Sequence, residues 1–164
     1  MMLQRTSTEL LKAAAMVPAR TALGSSMIFH GVGKLRAPEP AGQAFHGMGV
    51  RPGKPMAIAA GLAEVFAGVG AVLGVWTRPA ALAVLVTQAV AIWKVHGSKG
   101  FDITKGGFEY NATLMAIAAG LLLAGPGAFS VHEALEHAVQ GTGARRLYRK
   151  ARPGPLLRFI KLLK

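Results

Sequence analysis

The stretch PMAIAAGLAEVFAGVGAVLGVW, Pro55 to Trp76, carries a single charge, Glu64, in 22 residues. An amphipathic helix in a water-soluble bundle shows a polar stripe with a 3.6-residue period, and this stretch has none. A helix that crosses a bilayer needs about 20 predominantly apolar residues, so Pro55–Trp76 is predicted to cross one. Working outward, three further stretches fit the same length. AAAMVPARTALGSSMIFHGVG, 13–33, is the most interrupted, by Pro18, Arg20 and His30. PAALAVLVTQAVAIWKV, 79–95, is charged only at Lys94, and FEYNATLMAIAAGLLLAG, 108–125, only at Glu109. The first stretch reads as a retained helix, because no small-x-small cleavage site is evident after it.

Composition points the same way. The chain has 164 residues, of which 52% are hydrophobic and only 16% charged, against about 25% charged in a typical soluble domain. Such hydrophobicity excludes intrinsic disorder. The absence of cysteine excludes a disulfide framework, thiol chemistry and Cys-based metal sites. A net charge of +12 would suggest nucleic acid in a soluble protein. Here the basic residues sit in loops and at the ends, as topogenic charges of a membrane protein do, and no nucleic-acid partner is expected.

The expected fold is all-α: a transmembrane four-helix up-and-down bundle over 1–140, with a short C-terminal interfacial helix at 131–140. A basic amphipathic tail, 141–164, follows. KLRAPEPAGQAFHGMGVRPGK, 34–54, is rich in Pro and Gly and reads as a loop, as does HGSKGFDITKGG, 96–107. Thr77-Arg78 is a tight turn before Pro79. Ser130 with Glu133 three residues on reads as a capping box. Four helices place both termini on one side. That side carries 12 Lys and Arg and the other 7, which favours cytoplasmic termini in a plasma (inner) membrane protein. The tail reads either as an anchor to anionic lipid or as a purely topogenic segment. Trp76 and Trp93, at helix ends on opposite sides, read as interface anchors.

Ionisable groups inside a bilayer are costly and should face the bundle interior. Glu64 lies about 13 Å below the outer boundary at 1.5 Å per residue. Its neighbours at three- and four-residue spacing are Ala57, Gly61, Gly68 and Ala71, all small, and small residues mark close helix contacts. Glu64 is therefore expected to point inward. Gly70 and Gly74 form a weaker small-xxx-small pair on another face. Below Glu109 come Ala112, Thr113, Ala116 and Gly120, also small. His30, one turn before Lys34, and His96 fall toward the same outer end. His30, Glu64, His96 and Glu109 thus form a candidate intramembrane polar cluster, with Arg20 and Lys34 as supporting residues. Arg20 is expected to snorkel to the inner interface or to reach toward Glu64.

Three readings of the cluster stand together. It is a proton-coupled or redox-linked site that binds a quinone headgroup, a site for a divalent ion held by two His and two Glu, or a polar latch that keeps the helices in register. No residue pattern points to a flavin or a resident metal, and no catalytic residue is assigned. HEALEH, 132–137, lacks the spacing of a zinc-protease motif and reads as the polar face of a surface helix.

The chain resembles the DoxX family of small four-helix membrane proteins over roughly 19–135. The resemblance rests on Arg20, Gly24, His30-Gly31 and Lys34 in the first stretch and on Glu64 and Gly68 in the second. Gly100-Phe101 and Gly107-Phe108-Glu109-Tyr110, then Gly125-Pro126-Gly127 with Ser130, complete it. His132 stands where the family often has Asp. The resemblance implies an accessory or quinone-interacting subunit of a membrane oxidoreductase complex linked to oxidative stress, with lipid and other oxidoreductase subunits as partners. It matches at Arg20, Glu64, His96 and Glu109. The alternative is a structural or assembly subunit without chemistry of its own.

Overall fold

The computed structural model describes residues 11, 14–127 and 129–141, and it is all helical, with no strand among the described residues. The helices are α1 (Met16–Arg36), α2 (Pro38–Gly47), α3 (Gly53–Leu73), α4 (Thr77–Ala91), α5 (Glu109–Ala124) and α6 (Val131–Gly141). The predicted basic tail, 141–164, lies outside the described residues from 142 onward, as do Arg5 and Lys12 near the N-terminus.

Two helical stretches, Gly53–Leu73 and Thr77–Lys99, are long and apolar enough to cross a bilayer. This is narrower than the four spans read from the sequence. Helix α5 has 16 residues, about 24 Å at 1.5 Å per residue, short of the usual span. Helix α1 has the length, but Arg20, Lys34 and Arg36 dilute its apolar character. The exposed side of α3 below its first turn is entirely apolar: Met56, Ala59, Leu62, Phe66, Val69 and Leu73. On α4 and α5, Leu82, Val86, Val90 and Leu123 are exposed as well. A water-soluble helix would place polar side chains there.

The core follows from close approach of backbones. Helix α1 packs along α3, α3 along α4, and α4 along α5. Gly24 and Gly31 of α1 meet Gly68 and Gly61 of α3, so the two helices run antiparallel. A Cβ added at Gly31 would lie 2.7 Å from Gly61 O, and one at Gly68 2.6 Å from Gly24 O. Each glycine pair is seven residues apart, two helical turns, and so lies on one face. Around this crossing the buried apolar residues are Leu23, Met27, Ala67, Ala81, Val84, Leu114, Ala118 and Leu121. The Gly70–Gly74 pair serves the α3–α4 corner instead: Gly70 packs against Ala80, and Gly74 ends α3 with φ 66°.

Two segments read as loops contain helix. Residues 38–47 form α2, with a proline in its first turn, Glu39 near its N-terminus and His46 in its last turn. Proline suits a first helical turn, where its missing N–H has no partner to lose. Gly42 lets α2 press on the start of α3, against the Lys54 backbone. The third predicted helix ends at 95, yet α4 continues through a π turn, Ile92–His96, and a 3₁₀ turn, Gly97–Lys99.

Candidate functional site

A cavity of about 350 Å³ lies where α1, α3, α4 and α5 come together below the 100–109 loop. Each helix supplies polar groups to it. From α1 comes Lys34, whose Nζ donates to Glu64 Oε2 of α3 at 2.6 Å. Glu64 is buried and Lys34 half-buried. Ala57, Gly61, Gly68 and Ala71 around Glu64 are buried with it, as small residues at a helix contact should be.

His96 is brought to the cavity wall by the π turn. Its Nδ1 donates to Gly106 O at 2.7 Å. That bond fixes the tautomer of the neutral ring and leaves Nε2 as the nitrogen able to accept a proton. Gln88 and Asn111 close the buried side: Asn111 Nδ2 donates to Gln88 Oε1 at 2.8 Å, and Gln88 Nε2 lies 3.5 Å from Met27 Sδ. Tyr110 hydrogen-bonds Ser26 Oγ across to α1, and its ring centroid lies 6.0 Å from that of His30.

His30, Glu64 and His96 all line this cavity, together with Lys34. Glu109 does not line it. Its carboxylate accepts from Ile103 N at 3.3 Å and stays with the loop. The small face below it is not a packing face either: Thr113, Ala116 and Gly120 are exposed, and α5 buries Asn111, Leu114, Ala118 and Leu121. Small size licenses a close contact without requiring one, and among the described residues no neighbouring helix covers that side. Gln88, Asn111 and Tyr110 were not among the sequence candidates. The available signal was an amide in an otherwise apolar run, which bonds across helices when no water is present.

The 100–109 loop that roofs the cavity is internally braced. Phe108 N donates to Gly100 O, Glu109 N to Phe101 O, and Gly107 N to Asp102 O. Asp102 also receives the hydroxyl and backbone N–H of Thr104, and these bonds hold its carboxyl below the usual aspartate range. Among the described residues no three His, Asp or Glu side chains are grouped so as to hold a metal ion.

Arg20 neither snorkels nor reaches Glu64. It is buried at the opposite end of the helices, where Nη1 donates to Pro126 O at 2.6 Å and Nη2 to Phe129 O at 2.9 Å. The turn after α5 exposes carbonyls that no helix satisfies, and a guanidinium fork can serve two of them. Gly74 sits against the same guanidinium and against Ser130. Ser130 caps α6, accepting from Glu133 N at 3.1 Å. His132 in HEALEH is buried, with Nε2 3.7 Å from Glu136 Oε1, so that face is not wholly a surface one. Arg20→Lys is expected to cost about 2 kcal/mol, since an ammonium cannot reproduce the two-pronged geometry. Thermal unfolding in detergent measures this, and an unchanged midpoint would refute the assignment.

The fold and this cavity define a class: a small helical membrane protein with a buried polar site near one end of its helices. The chain belongs to the DoxX family, a family of membrane proteins, whose model matches residues 15–97. The matched region contains Arg20, His30, Lys34, Glu64 and His96 and ends before Glu109. No curated protein and no solved structure matches the chain.

Proposed function

We propose that the chain is a transmembrane four-helix up-and-down bundle of the plasma membrane, with both termini cytoplasmic. In this reading it binds a quinone headgroup as an accessory subunit of a redox-linked membrane complex. The observation that carries the proposal is the 350 Å³ cavity, lined by His30, Lys34, Glu64, His96, Tyr110 and Asn111. Its volume falls in the range of about 300–1,000 Å³ that ligand sites occupy. Quinone carbonyl oxygens accept hydrogen bonds, and Lys34 Nζ and Tyr110 Oη are donors at the wall. Reduction to the quinol takes two electrons, supplied by a redox partner subunit, and two protons. Glu64 and His96 are side chains of the kinds that serve as general acids and bases.

Purification in mild detergent, followed by extraction and chromatography, tests this. Near-stoichiometric quinone with the protein is expected. Quinone no higher than in an unrelated membrane protein from the same membranes would overturn it.

A second reading has its own observation. The Lys34–Glu64 pair joins α1 to α3 beside the Gly31–Gly61 contact, where it would serve equally as a latch in a structural or assembly subunit.

A further inference from the structure

A second, larger cavity of about 790 Å³ lies on the outside of α1 and α2. It is an open groove with an apolar floor that includes Ile28, Phe29, Val32, Pro40 and Ala41. Phe29 is 76% exposed beside it. Its wall includes His30 and Lys34, and both residues also line the polar cavity. The two cavities therefore stand on opposite sides of one partition made from two side chains a single helical turn apart.

Gly31, between the two residues, faces α3, and a Cβ added at Gly33 would meet nothing within 4 Å, so neither glycine adds a side chain to this wall. The His30 ring is exposed and rests edge-on against Phe29, with centroids 5.5 Å apart. Lys34 is held by Glu64 and by a long contact of 3.4 Å to His30 O. Rotamer changes in exposed side chains such as His30 take picoseconds to nanoseconds.

We infer that the groove is the seat of the apolar tail of the amphiphile whose head occupies the polar cavity, and that the head enters sideways from the bilayer between His30 and Lys34. The inference rests on the quinone reading above and specifies its ligand as a quinone with a long hydrocarbon tail. The wall of His30 and Lys34 shared by the two cavities, the apolar groove floor and the polar inner wall together match the two halves of such a molecule. A phospholipid or a second copy of the chain is the alternative occupant of the groove.

Gly33 provides the test. It lines the groove but not the polar cavity, and a Cβ there meets nothing within 4 Å. Gly33→Phe therefore fills the groove without disturbing the helix contacts, and Gly33→Ala is its control. Purified protein is titrated with a tail-bearing quinone and with the same ring lacking its tail, while thermal unfolding and oligomeric state are recorded. Gly33→Phe is expected to weaken the tail-bearing quinone about tenfold or more relative to the natural chain. The tail-less ring should bind unchanged, and Gly33→Ala should leave both unchanged.

Undiminished binding of the tail-bearing quinone to Gly33→Phe would overturn the inference while the head site stands. A changed oligomeric state in that variant would assign the groove to a second copy, and release of phospholipid alone would assign it to lipid. Equal weakening of both ligands would also overturn it, because the effect would then lie in the head cavity. If neither the tail-bearing quinone nor the tail-less ring binds the natural chain, the quinone reading falls and this inference falls with it.

Discussion

Gly68→Ala is expected to lower stability by about 2–3 kcal/mol, a large share of what holds a small bundle together. The added methyl would lie 2.6 Å from Gly24 O and 2.8 Å from Ile28 N. Both are backbone atoms of α1, which cannot rotate aside as a side chain would, so the helices must separate along the crossing. In a bilayer the loss is felt directly. Helix association there depends on close van der Waals packing, because lipid tails are as apolar as the helices themselves. Gly120→Ala is the matched control, since a Cβ at Gly120 meets nothing within 4 Å. Alanine is the better helix former, so that variant should be neutral or slightly stabilised. Thermal unfolding of both variants in one detergent decides the matter. Equal midpoints would show that the glycine contact does not hold α1 to α3.

Glu64→Gln is expected to weaken quinone binding about tenfold or more and to destabilise the fold by about 1–2 kcal/mol. Removing one partner of a fully buried ion pair costs about 3–5 kcal/mol, because the other charge is stranded. The Lys34 side chain is 24% exposed, which moderates that figure. Stability alone does not separate a ligand site from a latch, so the double variant Lys34→Met with Glu64→Leu is the discriminating one. Replacing both charges by apolar groups of similar size is often neutral or stabilising. The latch reading expects the double variant to regain its unfolding temperature with quinone content as before. The quinone reading expects stability to return while binding stays lost. Retained quinone in the double variant would sink the proposed function.

Several of these features were legible as letters, for identifiable reasons. Ala57, Gly61, Gly68 and Ala71 share one face with Glu64, and that face is buried. The long apolar runs of α3 and α4 could be read because a helix with one face in water would carry a polar stripe, and these runs have none. The same reasoning misjudged α5. Its small residues beneath Glu109 resemble a contact stripe, yet the helix turns Asn111, Leu114, Ala118 and Leu121 inward. Size says what a face permits, and only a neighbour decides what it does.

Residues 38–47 were misread because proline and glycine punctuate a chain in two ways. Here proline opens a helix and Gly42 admits the backbone of Lys54. The pairing of Lys34 with Glu64 and that of Asn111 with Gln88 depend on rotation of one helix against another. Spacing along the chain does not contain that quantity. The partners of Arg20 are carbonyls, which every residue has, so no letter could mark them.

Those carbonyls have a consequence for biosynthesis. They lie 106 and 109 positions downstream of Arg20, so the ribosome must deliver almost the whole described chain before this charge finds its resting place. Until then α1 carries a cation whose two partner carbonyls have not yet been made. Truncation anywhere before residue 126 would therefore deprive the first helix, rather than the last, of both carbonyls that hold its arginine.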